Sequence, residues 1–162
     1  MTTAIAVKPA ADVGKVLTGA QFIDAYRVTV ARADLPAADA ARSMLARSPA
    51  WTRGLMALRN ALVTPFGLKT RAGPGDRRER IGLFPIESAT RSQVVLGFDD
   101  KHLDFRVVVD VARAGVASEV TATTLVRLNN VLGRAYLTAI LPFHKLIVRS
   151  MLSRVADPTP PI

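Results

Sequence analysis

The 162-residue chain contains no cysteine. That excludes a disulfide framework, a thiolate nucleophile and a cysteine-ligated metal. It agrees with a reducing, cytoplasmic setting. Histidine is scarce: His102 and His144 are the only 2. A transition-metal site would have to be completed by carboxylates, and no spacing suggests one. Aromatic residues make up 6%, and none interleave with a basic cluster, so a base-stacking platform for nucleic acid is not expected. No uncharged apolar run reaches the roughly 18–20 residues of a membrane span. The longest, Ala135–Phe143, is too short. Met1–Gly19 has neither the basic start nor the unbroken apolar stretch of a signal peptide.

Acidic residues are the other shortage. Asp and Glu total 13 against 22 Lys and Arg, giving a formal charge of +9. Such a balance favours anionic partners. The arginines are scattered along the chain, however, which reads first as a compositional bias. The hydrophobic share, 49%, is that of an ordinary globular domain.

The pattern along the chain is informative. Residues 1–19 read as a flexible arm, 20–156 as a single domain and 157–162 as a frayed tail. Tyr26–Ala31 alternates as a half-buried strand. Asp34-Leu35-Pro36 opens a helix over Ala37–Ala46, with Asp34 as cap. Ser48-Pro49 opens a second helix, in which Trp51, Leu55, Leu58 and Leu62 recur at helical spacing. A basic, turn-rich segment, Lys69–Arg80, follows. Then come four strands: Ile81–Ser88, Gln93–Phe98, Leu103–Val111 and Glu119–Leu128. In the third, every odd position is apolar, and Asp104, Arg106 and Asp110 oppose them. That pattern predicts one packed and one wet face. Asn130–Val155 is a long apolar helix with Pro142 inside it, which predicts a kink near Thr138.

The order β-α-α-β-β-β-β-α describes an α+β domain in which a curved antiparallel sheet wraps a long C-terminal helix. It resembles the helix-grip fold of the START-like (SRPBCC) superfamily, although one or two strands short of it; a split of Ile81–Phe98, or a strand within the N-terminal arm, could supply the difference. The local motifs are more specific. Asp24-Ala25-Tyr26-Arg27-Val28, Pro49-Ala50-Trp51 and Pro65-Phe66-Gly67-Leu68-Lys69 are among them. So are the run from Gly97 to Arg106, Asn130–Leu137 and Pro142–Val148. Together these are similar to the bacterial domain of unknown function family numbered 2867, over about Ala20 to Val155. That resemblance implies a domain with a cavity between sheet and helix. It supplies no catalytic residues and no cofactor.

Candidate site residues follow from chemistry. His102, within Asp99–Asp104, could act as a base among carboxylates, or could belong to a polar hairpin. His144 lies in the apolar stripe of the long helix. There it could be the polar handle of a pocket, or a core histidine bonded to a neighbour. Asn129, Asn130, Arg134 and Tyr136 cluster at the start of that helix, where Asn130 is expected to cap it. Trp51, Phe66, Phe105, Ile140, His144 and Val148 are the expected lining of a ligand site. Phe98 and Phe143 are further aromatic candidates. Tyr136, His144 and His102 are the side chains able to move a proton.

Three functions fit these residues. The first is binding of a small hydrophobic or aromatic molecule. The second is a cyclase- or dehydratase-like enzyme using a cavity His or Tyr. The third is an interaction domain with a filled core. A homodimer is the default assembly for a small domain of this kind.

Overall fold

The computed structural model describes residues 2–10, 12–45, 57 and 77–156. The second helix expected from Ser48, together with Trp51, Phe66, Lys69 and Arg71, lies outside them.

Seven strands build one antiparallel sheet. They are β1 (Ile5–Val7), β2 (Phe22–Val30), β3 (Arg80–Ile81), β4 (Phe84–Ala89), β5 (Gln93–Asp99), β6 (Leu103–Ala114) and β7 (Ala117–Leu128). Their order is β1-β2-β7-β6-β5-β4-β3. Among the described residues the helices are α1 (Val13–Val16), α2 (Ala37–Leu45) and α3 (Val131–Ala156). One sheet with a long C-terminal helix across it is the α+β helix-grip architecture. α3 lies over β2 and β7, and α2 over β5 and β6.

The strands missing from the sequence reading come from two places. Residues 1–19, read as a loose arm, contribute β1, which pairs with β2 through Ile5↔Arg27. The single run Ile81–Ser88 is really a hairpin. Gly82, at φ 61, turns the chain between Ile81 and Phe84, a conformation that glycine adopts without a Cβ penalty. The two outermost strands are the shortest, which limits edge-to-edge pairing. Gly115, at φ 64, makes the equivalent tight turn between β6 and β7, where Ala114 faces Ala117.

The alternation in β6 holds, but the face opposite the helix is not simply wet. Val13 and Leu17, around α1, cover Val95, Val108 and Leu125 in a second apolar cluster. The polar residues meant for solvent are partly enclosed as well. Asp104 is only 3% exposed. Gly97 explains how Arg106 fits there: a Cβ at Gly97 would sit 2.6 Å from Arg106 Cδ and 2.2 Å from the Phe105 carbonyl. With that space open, the Arg106 guanidinium reaches Asp99 at 2.8 Å.

The main core lies between the concave face and the helices. Val28, Val94, Leu96, Val109 and Val120 meet Ala40, Met44, Leu152 and Val155 there. Asp34 does not cap α2. It pairs with Arg91 at 2.6 Å, and the Ala37 N–H instead donates to the Arg91 carbonyl at 2.8 Å. The long helix runs unbroken through Pro142. At 26 residues it is about 39 Å long.

Candidate functional site

Three groups of residues converge along α3. The first fixes its start. Asn130 is the cap: its Oδ1 accepts the Gly133 N–H at 3.0 Å. That bond orients the amide, so Asn130 Nδ2 donates to His102 Nδ1 at 2.7 Å. His102 therefore carries its proton on Nε2 when neutral. The Asn129 N–H donates to the His102 carbonyl at 2.9 Å. Asn129 Nδ2 reaches the Asp100 carbonyl at 2.9 Å. Below them Asp104 Oδ2 accepts from Arg127 Nε at 2.9 Å, and also from Arg127 Nη2. The acidic turn with its histidine is thus a clamp between the β5–β6 turn and the helix start. His102 Nδ1 is held as an acceptor, and its Nε2 is buried with no hydrogen-bond partner among the described residues.

The second group is the seam between β2 and α3. His144 Nε2 donates to Asp24 Oδ1 at 3.0 Å. Both side chains are largely buried, at 13% and 19% exposure. Phe22 meets the imidazole edge-on, with centroids 5.6 Å apart. Asp24 Oδ2 is buried and has no hydrogen-bond partner among the described residues. A buried carboxylate oxygen without a donor is unusual and calls for a function or a partner. His144 was expected to face inward, and it does. The neighbour it bonds is the Asp24 side chain.

Sequence reasoning missed Asp24 because β2 was read only from Tyr26. Extending the alternation by two pairs puts Phe22 and Asp24 on the same face as Tyr26, Val28 and Val30. A charge on the packed face of a strand was the available signal.

Tyr26 lies one step along that face. Its phenol is raised above the ordinary tyrosine range, first by burial and then by the Asp24 charge, with Arg149 opposing. The neutral phenol is therefore favoured in the folded state. Its contribution to stability is intact below the ordinary tyrosine pKa and is lost as pH rises through the folded value. An alkaline absorbance titration should show one phenol ionising late. Tyr26→Phe should remove that late phase, and a Tyr26 that titrated with free tyrosine would refute the assignment.

The third group is an aromatic wall. Phe84, Phe98 and Phe105 stand on adjacent strands β4, β5 and β6. Phe84 and Phe105 centroids are 5.5 Å apart, and Phe98 and Phe105 centroids 5.6 Å. All three are only partly buried. On α3, Leu132, Tyr136, Leu137, Ile140 and Leu141 are likewise half-buried, whereas Val148, Leu152 and Val155 are fully buried. Burial thus falls from the C-terminal to the N-terminal half of the helix. Tyr136, Ile140 and His144 follow one another at i,i+4 and share the inward face. Ile140 and His144 lie on the half-buried part of that face, and Phe105 belongs to the aromatic wall with Phe84 and Phe98. Val148 belongs to the closed core. Phe143, an aromatic candidate, points outward at 49% exposure. Among the described residues no group of three or more His, Asp or Glu is placed to hold a metal.

A single antiparallel sheet gripping one long helix, with a polar pair buried in the seam, defines a helix-grip domain. The family model described as "Protein of unknown function (DUF2867)" matches residues 16–151. The chain belongs to that family. No protein of curated function matches it. Among solved structures, it is similar to the solution NMR structure of CalU16 from Micromonospora echinospora. The two share 10% identity over 99% of this chain and 76% of that one, with TM-score 0.43. It is also similar to the crystal structure of Ara h 8.0201, at 8% identity over 83% of this chain and 98% of that one, with TM-score 0.38.

Proposed function

We propose that this chain is a START-like domain that binds a small hydrophobic or aromatic molecule between the sheet and the N-terminal half of α3. The observation that carries this reading is the fall in burial along the helix. Paired with it is an aromatic wall, Phe84, Phe98 and Phe105, that keeps part of its surface uncovered. A packed interior ordinarily leaves no such surface between two layers. Asp24 and His144 supply the few polar atoms an apolar pocket uses to orient its ligand. The unpartnered Asp24 Oδ2 accepts a hydroxyl or amide donor from the bound molecule.

The test is displacement of an environment-sensitive dye, anilinonaphthalene sulfonate, by 2-naphthol, backed by native mass spectrometry for retained small molecules. Wild type is expected to bind 2-naphthol with Kd in the micromolar range. Phe105→Ala should weaken this about tenfold, matching loss of roughly 1.5 kcal/mol of aromatic contact. A protein that binds neither dye nor naphthol, and carries no small molecule, would overturn the reading.

One observation favours a second reading. His144 is oriented by a carboxylate through Nε2, the geometry that readies Nδ1 for proton transfer. A cyclase- or dehydratase-like reaction would use that nitrogen. An activity whose pH profile shifts in His144→Gln would establish that role.

A further inference from the structure

The outward face of α3 has a composition of its own. Val131 is 83% exposed, Leu146 64% and Phe143 49%. Ala135, Ala139 and Pro142 lie exposed between them. At about 100° per residue, Val131, Ala135, Pro142 and Leu146 form one stripe, on the side opposite Ile140 and His144. The stripe is about 22 Å long. Exposed Arg134 and Lys145 run along one side of it, and the 26-residue helix contains no Asp or Glu. By length and composition α3 is apolar enough to cross a membrane. Yet its inner face is committed to the sheet through His144 and to the core through Val148, Leu152 and Val155.

We infer that this outer face docks on an anionic lipid surface, with α3 lying in the plane of the interface. Apolar side chains in a stripe with basic residues along its border are what such a helix presents to lipid. The long stems of Arg134 and Lys145 let the charged ends stay at headgroup level while Leu146 and Phe143 enter the acyl boundary. The charge of the whole chain, +9, adds attraction of the same sign. Charge also decides against a second copy as the occupant. A two-fold pairing of this face would bring the like charges of Arg134 and Lys145 from two helices into one interface, with no carboxylate on either helix to meet them. The ligand site faces the other way, so the two proposals stand or fall separately.

The experiment is flotation of the full chain with vesicles of phosphatidylcholine alone and with about a third phosphatidylserine, at low and high salt. Binding is expected only to the serine-containing vesicles, and added salt should weaken it. Arg134→Gln and Lys145→Gln should each lower partitioning by roughly fivefold. Phe143→Glu with Leu146→Glu should lower it by more than tenfold. Both residues are exposed, so an unchanged circular dichroism spectrum and melting point would show that the fold is intact. Absence of binding to anionic vesicles at low salt would overturn the proposal. So would equal partitioning of wild type and the double glutamate variant. A concentration-dependent dimer that Leu146→Glu abolishes, without vesicle binding, would assign the face to a second copy and overturn it as well.

Discussion

Gly133→Ala is expected to destabilise the protein by about 3 kcal/mol and to lower its melting temperature by roughly 6–12 °C. A Cβ built at this position would lie 2.0 Å from the carbonyl oxygen of His102 and 2.9 Å from its carbonyl carbon. Both are backbone atoms. The same oxygen accepts the Asn129 N–H at 2.9 Å, so it cannot swing aside without losing that bond. The N–H of Gly133 is meanwhile held by the Asn130 cap at 3.0 Å. Relief would have to come from lifting the first turn of α3 off the β5–β6 turn. Gly14→Ala makes the control. Nothing lies within 4 Å of a Cβ there, and alanine should raise stability by about 0.5 kcal/mol through the unfolded chain. Urea denaturation of both variants checks the pair. Equal small effects would remove the close approach as an explanation for glycine at position 133.

Arg127→Met should cost about 2–3 kcal/mol. Asp104 is buried, and Arg127 gives it both Nε and Nη2. Methionine keeps much of the apolar stem and removes both donors. The carboxylate retains weaker donors, the Asn129 amide at 3.3 Å and the Asp100 N–H at 3.3 Å. Those residual bonds, and the 43% exposure of the Arg127 side chain, keep the loss below that of a fully buried charge left alone. Arg127 also donates to the Thr18 carbonyl at 3.2 Å, which ties the end of the α1 segment to β7. Faster amide exchange in residues 13–18 should therefore accompany the loss. Replacing both partners, in Asp104→Leu with Arg127→Met, should recover most of the stability, since no buried charge is then stranded. A double variant as unstable as the single one would show that packing of the arginine stem, not its charge, is the main contribution.

The strands and the long helix were legible because their signals are periodic. In β6 every odd position from Leu103 to Val111 is apolar and three of the four even ones are charged, and α3 was placed to within one residue at each end. What escaped has no period. β1 is three residues long, below the length at which alternation is meaningful. The turn at Gly82 depends on a backbone angle that the run Ile81–Ser88 does not display. The cap on α2 failed because Asp34 met Arg91, 57 positions away, and no local rule anticipates a distant competitor. The same holds for the site. His144 was recognised from its helix face, but Asp24 is 120 positions off. Only the register of β2 against β7, and of both against α3, brings the two together.

α3 behaves as a beam supported at its two ends. Asn130, Gly133 and the His102 backbone fix one end. Val148, Leu152 and Val155 fix the other. Between these supports His144 ties the span to β2 through Asp24, while Tyr136, Ile140 and Leu141 are only half-buried. Substitutions there can change the shape and polarity of the span without unseating the helix. The fixed ends and the half-buried middle thus fall on different stretches of one element.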